Sequence, residues 1–577
     1  MSLTSTPSTQ VPLFPQHSEN GRGVSVEFDV PVRMRDGVVL RANLYRPRDS
    51  GEPSPVLLMR TPYDKNRHVM DVWCGLDPLQ AARRGFLVAI QDVRGRFASE
   101  GEWDPFRFER QDGYDTVEWA ASLPGSNGRV GMYSGSYCGN VQWLAAADRP
   151  RGLAAISPAL TWSEPLDGLL ARGGAVELGI ALRWALENGA DVLAKRGHDD
   201  LALEGRLEAV AAEWDRLSES GYWELPVSSV SVLRRHGVPA LGGLREIDNA
   251  SAARWSRVTD LYDRVHVPTL HTAGWYDIFL QGTLDNYAAM AARGRETRLI
   301  VGPWTHHAFE DPVGQQAFGM RSARNGYPAH GGHDWNDLQL SWFGRHLVEG
   351  AAQDLPGAPV RIFVMGRNEW RDLPCWPPAE ARSQRWYLRD GGELGTALPD
   401  ADNASTAFHY DPHDPVPTVG GHGVLWPGSP SGPMDQAAVE DRDDVLVFTS
   451  APLREELEIT GRVRCVLYAT SSAPSTDWVA RLCDVHPDGR SINLCDGIVR
   501  ATTANNGVGR YEIDLWSTSN VFLPGHRLRV HVTSSSFPRW DRNLNTGDQR
   551  GTRMDVATQR VHHDRHRPSY VELPVMT

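Results

Sequence analysis

A serine in a turn of small residues, an aspartate past one apolar run and a histidine past the next are the groups best placed for chemistry. Ser136 lies in Arg129-Val-Gly-Met-Tyr-Ser-Gly-Ser-Tyr-Cys-Gly-Asn-Val-Gln-Trp143. Val130 to Tyr133 reads as a short buried strand, Ser134-Gly135-Ser136 as a tight turn, and Tyr137 to Ala147 as a helix. A sharp strand-to-helix turn exposes a hydroxyl. The free N–H groups and positive dipole end of the helix then face any oxyanion that develops beside it. Taken alone, the run fits a Gly/Ser turn with a solvated hydroxyl equally well.

Serine needs a base within hydrogen-bond reach, and the base needs an orienting acid. Asp277 follows the apolar run in Thr269-Leu-His-Thr-Ala-Gly-Trp-Tyr-Asp277, and His306 follows the next one, Arg298-Leu-Ile-Val-Gly-Pro-Trp-Thr-His306. The order Ser, acid, His is that of α/β-hydrolases, and both candidates fall at strand ends, the ligand side of an open α/β sheet. The alternatives are an Asp277 that only caps the following segment and a His306 that is one of 20 ordinary histidines. His307 competes for the base role. His330 and His333 with Asp334 lack a third ligand at metal spacing and read as a loop. For the oxyanion donor, the loop after Pro55 to Arg60 points to Tyr63.

The elements that must position these groups change character along the chain. Val24 to Val30 and Val38 to Tyr45 alternate like paired strands. Pro55 to Arg60, Phe86 to Gln91 and Leu153 to Ser157 are further buried strands, with helices over Asp77 to Arg84 and Asp112 to Ala121. After Pro158 the pattern turns helical, with Leu203, Leu207, Val210, Trp214 and Leu217 on one face. Alternation resumes with strands at Pro268 to Ala273 and Arg298 to Val301, and helices at Thr283 to Ala292 and His333 to Leu347. Beyond Leu355 come Val360 to Met365, Val445 to Thr449, Arg462 to Tyr468, Trp478 to Asp484 and Leu528 to Thr533, strands parted by Gly, Pro and Asp turns. The reading is an α/β core in two parts (1–157 and 250–353), a helical cap inserted at 158–249, and an all-β jelly-roll domain from 354 to 577.

Bulk properties narrow the function classes. A net charge of −13 with no Lys or Arg run argues against nucleic acid and anionic membranes as partners. The six cysteines are scattered without a Cys-x-x-Cys pair, which suits a reducing cytoplasm. Residues 1–17 show neither a charged n-region nor an apolar h-region, and no apolar stretch is long enough to span a bilayer. The 20 tryptophans suit large cores and aromatic-walled pockets.

Motifs along nearly the whole chain carry a family resemblance. Tyr45-Arg-Pro47, Pro62-Tyr-Asp-Lys65, Asp92-Val-Arg-Gly-Arg96, Ser99-Glu-Gly101, Gly131-Met132, Ser136-Tyr137, Gly274-Trp-Tyr-Asp277 and Gly302-Pro-Trp-Thr-His306 come first. Val364-Met-Gly366, Asp441-Arg-Asp-Asp444, Cys495-Asp-Gly-Ile-Val-Arg500, Ser519-Asn-Val-Phe-Leu-Pro-Gly-His526, Asp541-Arg-Asn543 and Asn545-Thr-Gly547 follow. Together they resemble the bacterial cocaine esterase and X-Pro dipeptidyl-peptidase family of serine hydrolases, least well in the helical insertion. The resemblance implies an α/β-hydrolase domain with a C-terminal β domain, and a triad of Ser136, Asp277 and His306. It also implies oxyanion donors at the Tyr45 hydroxyl and the Tyr137 N–H, in contrast to the Tyr63 expected from loop position. Ser134 departs from the family, which has Gly two residues before the nucleophile. It is expected to strain the turn and adds a second hydroxyl.

The expected reaction is acyl transfer to water from a small-molecule ester or amide. It calls for no metal or organic cofactor, and a homodimer is left open. Family members cleave esters, X-Pro peptides and acyl groups on β-lactams, and amino-ester members resemble one another in a carboxylate cluster after the triad Asp. Here Ile278-Phe279-Leu280 follows Asp277, an apolar strip suited to an aryl or alkyl acyl group. The resemblance implies pocket roles for Phe279, Leu425 and Trp426, and the position of Trp162 at the start of the insertion makes it another wall candidate. X-Pro or β-lactam amide cleavage, transfer to another acceptor, and a non-catalytic ligand-binding fold are the other readings.

Overall fold

Buried β-branched and leucine-rich strands, each followed by a helix, build a doubly covered parallel sheet. The computed structural model describes residues 23–48, 51–67, 76–197, 202–227, 250–324, 335–350, 357–426, 428–503, 507–548 and 550–577. Strands β1 (Val24–Arg33), β2 (Val39–Pro47), β3 (Ser54–Thr61), β4 (Leu87–Asp92), β5 (Ser126–Gly135) and β6 (Leu153–Ala159) open the chain. Helices α1 (Pro78–Arg83), α2 (Glu109–Ala121) and α3 (Tyr137–Ala147) connect them. The hairpin β7 (Ala171–Arg172) and β8 (Ala175–Val176) leads into the cap helices α4 (Leu178–Arg196), α5 (Leu203–Asp215) and α6 (Ala250–Ser256). Then come β9 (Thr269–Tyr276), α7 (Leu280–Ala292), β10 (Thr297–Thr305), α8 (Trp335–Leu347), β11 (Val360–Val364) and β12 (Glu369–Leu373).

The first sheet has the order β1-β2-β4-β3-β5-β6-β9-β10-β11-β12. From β4 through β11 every neighbour pair is parallel, and the antiparallel pairs lie at the two edges. Burial on both faces explains the continuous apolar runs: every residue of β3, β4 and β9 is buried. One face packs on α2 and α3 through Val117, Val141 and Trp143, the other on α1 and α8 through Ala81, Trp342 and Phe343.

Val360–Val364 reads as a β-domain strand, yet it pairs in parallel with β10 and, with β12, extends the first sheet. A short apolar strand has the same appearance in either sheet. The second sheet begins at β13 (Arg382–Arg389) and continues through β14 (Glu393–Gly395), β15 (Ser405–Tyr410), β16 (Leu446–Ser450), β17 (Leu457–Ser471), β18 (Ser475–Val485), β19 (Ser491–Thr502), β20 (Gly509–Phe522), β21 (Arg527–Thr533), β22 (Ala557–His562) and β23 (Tyr570–Val575). These eleven strands pair antiparallel except β14 with β16, and they form a jelly-roll-like all-β domain around Trp478, Leu482 and Val530. Its core is continuous with Trp275, Leu284 and Val301 of the first sheet and α7. The cap is tied to it by buried polar contacts. Trp540 Nε1 donates to Glu177 Oε1 at 2.8 Å, and the Arg172 guanidinium lies 3.7 Å from the Trp516 ring centroid. His330, His333 and Asp334 lie outside the described residues.

Candidate active site

Three parallel strands each end one residue short of a side chain singled out in the sequence. β5 ends at Gly135 before Ser136, β9 at Tyr276 before Asp277, and β10 at Thr305 before His306. Asp277 is fully buried. Its Oδ1 lies 2.5 Å from His306 Nδ1, and its Oδ2 accepts the Phe279 N–H at 2.8 Å. His306 Nε2 lies 3.2 Å from Ser136 Oγ. A carboxylate, an imidazole and a hydroxyl thus form one hydrogen-bonded chain, the geometry that lets the imidazole take the serine proton.

The turn carrying Ser136 is strained. Ser136 sits at φ 57°, ψ −126°, and Ser134 at φ 105°, a region that favours glycine. Packing holds it there: Ser136 N–H donates to Ala159 O at 2.9 Å, and Thr161 Oγ1 donates to Ser136 O at 3.0 Å. The Ser134 Oγ is buried without a hydrogen-bond partner. Tyr137 opens α3, so its N–H, at the first helical position, has no intrahelical acceptor. Its ring points away, with the hydroxyl donating to buried Glu109 Oε1 at 2.8 Å, and Glu109 pairs with Arg60 at 2.7 Å.

A cavity of about 510 Å³ opens over Ser136, His306 and His307. Tyr63, Arg67 and Val424 line it, together with Ile180, Arg183, Trp184, Glu187, Asn188 and Asp191 of α4. Their spacing of three and four marks one helical face, a signal readable in the sequence but missed because half of these residues are charged. The opposite face of α4 packs Leu178, Ala181, Leu182, Ala185 and Leu186 into the cap core. Glu187 and Asp191 sit beside arginines, Glu187 3.9 Å from Arg183 and Asp191 3.3 Å from Arg96. The insertion carboxylates nearer its start are engaged elsewhere: Glu164 pairs with Arg257, Asp167 with Trp516, and Glu177 with Trp540.

The Tyr63 loop is pinned by Asp92-Val-Arg-Gly-Arg96. Lys65 donates to Asp92 through its backbone N–H at 2.7 Å and through Nζ at 3.0 Å. Arg96 Nε donates to Pro62 O at 2.6 Å, and its guanidinium reaches Asn188 Oδ1 of α4 at 3.2 Å. Trp184 Nε1 donates to the Tyr63 hydroxyl oxygen at 3.0 Å. Burial pushes the Tyr63 phenol well above its ordinary value, so it keeps its proton near neutrality. Partial desolvation at the cavity wall and the neighbouring His306 push His307 below its ordinary value, which favours its neutral form.

Tyr45 lies elsewhere, which corrects the residue carried over from the resemblance. It pairs with Val88 near the start of β4; Val88 is level with Leu57, and Leu57 with Gly131. Gly131 precedes Ser136 by five residues, roughly 16 Å along a strand. Tyr45 packs among Val88, Tyr133 and Phe86, on the α1 and α8 face of the sheet. The other candidates separate too. Phe279 is buried edge-on against the His306 ring, with centroids 5.2 Å apart, and Trp162 stands behind it at 4.9 Å. Neither lines the cavity. Val424 does, whereas Leu425 packs toward Gly179 and Trp426 against Tyr222.

Residues 36–308 match the family model of the X-Pro dipeptidyl-peptidase S15 family, and residues 353–572 that of the X-Pro dipeptidyl-peptidase C-terminal non-catalytic domain. Cocaine esterase of a Rhodococcus species is 37% identical over 96% of this chain and 99% of its own. The chain belongs to this hydrolase family. Solved structures share the fold across the full length. An aminopeptidase of a marine-sediment Thaumarchaeota archaeon superposes with a TM-score of 0.77 at 23% identity, covering 100% of this chain and 99% of that one. An α-amino acid ester hydrolase superposes at 0.74 with 24% identity, covering 99% and 100%. Among the described residues of this S15 chain, no helix is long and apolar enough to cross a membrane.

Proposed function

We propose that the protein is a serine esterase that forms an acyl-enzyme on Ser136. The observation that carries this reading is the hydrogen-bonded chain Asp277–His306–Ser136 at the floor of the cavity. His306 takes the Ser136 proton as Oγ attacks the ester carbonyl, and Asp277 keeps Nδ1 protonated and the ring oriented. The Tyr137 N–H and the Tyr63 hydroxyl stabilise the oxyanion. With Trp184 donating to the Tyr63 oxygen, the Tyr63 proton is left for the cavity. His306 then protonates the leaving alcohol and activates water against the acyl-enzyme. The 37% identity to a cocaine esterase supports an ester over an amide substrate.

Neutral aryl or alkyl acyl groups suit this cavity better than α-amino acyl groups. Tyr63, Ile180, Trp184 and Val424 supply apolar wall. The two carboxylates on the wall face arginines, and Arg67 adds a further positive charge, so among the described residues an ammonium finds no uncompensated partner. The test is kcat/KM for a p-nitrophenyl butyrate or benzoate against a matched α-amino ester, with Ser136→Ala as the blank. Neutral esters should win clearly. A preference for the amino ester would overturn the acyl assignment alone, and turnover by Ser136→Ala equal to wild type would overturn the esterase.

A further inference from the structure

A second constellation of side chains lies in the β domain, among residues that share nothing with the Ser136 cavity. β18 and β21 are neighbours, with Asp484 opposite Leu528 and Val485 opposite Arg527. The turns that follow β18 and precede β21 therefore lie side by side. The first carries His486 and is closed by His486 N–H to Arg490 O at 2.8 Å; the second carries His526 and is closed by His526 N–H to Leu523 O at 3.0 Å. Asp484, His486 and His526 each bring a ligand atom within 4.8 Å of the other two.

We propose that Asp484, His486 and His526 bind a divalent transition-metal ion of the zinc class, which staples the two turns together. The donor set argues for that class. Two imidazoles with one carboxylate suit zinc, cobalt or nickel, whereas magnesium and calcium take oxygen ligands. The frame is largely built. His526 Nδ1 already lies 2.8 Å from Asp484 Oδ1, close to the roughly 3.3 Å between ligand atoms around a tetrahedral zinc. Asp484 is buried, and Asn520 Nδ2 donates to its second oxygen at 3.4 Å, an outer contact of the kind that orients a ligating carboxylate. The His486 ring is tilted against the His526 ring with centroids 4.6 Å apart, and it stands on a partly exposed turn from which it can close on the ion.

Two further observations bear on the site. A cavity of about 180 Å³ borders all three residues and has room for the water that completes a coordination shell. Asn368 lines the same cavity, and its buried Oδ1 has no hydrogen-bond partner, so it offers an acceptor to that water. Arg490 opposes the ion: its Nη2 lies 3.4 Å from His486 Nδ1. That contact is long, and Arg490 keeps Asp488 through Nε at 2.8 Å when it is given up.

The experiment is calorimetric titration of the chelator-stripped full-length protein with zinc chloride, with magnesium chloride as control. Wild type should take up one zinc per chain in a high-affinity event and no magnesium, and zinc should raise its thermal unfolding midpoint by a few degrees. His486→Phe keeps a ring against His526 and removes both nitrogens, on a partly exposed turn. It should lose the high-affinity event by at least tenfold in Kd and lose the zinc-dependent midpoint shift, and Asp484→Asn should do the same. Absence of a high-affinity event in wild type, or unchanged binding by His486→Phe, would overturn the site.

Discussion

Trp184 of the cap donates its indole N–H to the hydroxyl oxygen of Tyr63 at 3.0 Å, and both side chains face the cavity that holds Ser136. The cap helix therefore sets the direction of the Tyr63 proton. Tyr63→Phe should lower kcat by roughly 10²–10³, about 3–4 kcal/mol of transition-state stabilisation, with a smaller effect on KM. Tyr45→Phe should leave kcat within a few-fold. Steady-state kinetics on both variants checks this, and a larger kcat defect in Tyr45→Phe would contradict the assignment.

The adjacent histidines should separate cleanly. His306 holds Asp277 and Ser136 on its two nitrogens, whereas His307 is a neutral wall of the cavity. His306→Ala should lose acylation by several orders of magnitude. His307→Ala should retain substantial turnover. Single-turnover measurements with a chromogenic ester read the acylation step directly, and equal collapse of both folded variants would remove the distinction.

Phe279 buttresses the His306 ring from behind. Phe279→Ala should leave a void there, costing about 3–5 kcal/mol of local packing and letting the imidazole drift. The expected kcat loss is similar for acetyl, butyryl and benzoyl esters. A loss confined to the bulky acyl groups would place Phe279 on the acyl pocket instead.

Ser134 occupies a glycine-favouring conformation with its hydroxyl buried and unpaired. Ser134→Gly should stabilise the protein by about 1 kcal/mol and leave kcat/KM within a few-fold. Thermal unfolding with parallel kinetics measures both, and a lower unfolding midpoint would show that the strain at this turn lies elsewhere.

The chemistry was more legible than the walls around it. Ser136, Asp277 and His306 each follow an apolar run closely, and a run of buried strand residues is a local signal. The face of α4 from Ile180 to Asp191 was hidden because its spacing is carried by arginine and carboxylates, not by an apolar stripe. Tyr45 failed for a non-local reason: strand register, which places it level with Gly131, is not written in either motif. The strand expected at Val360 to Met365 is present, but its apolar run does not say which sheet takes it. Val424 borders the cavity, next to the expected Leu425 and Trp426, which pack toward the cap.

The central claim is that Ser136 is the acylated nucleophile, and covalent labelling reads it most directly. A fluorophosphonate should modify the protein once, and peptide mass spectrometry should map the adduct to Ser136, with no labelling in Ser136→Ala that retains the wild-type unfolding midpoint. An adduct on Ser134, or undiminished labelling of Ser136→Ala, would contradict the account.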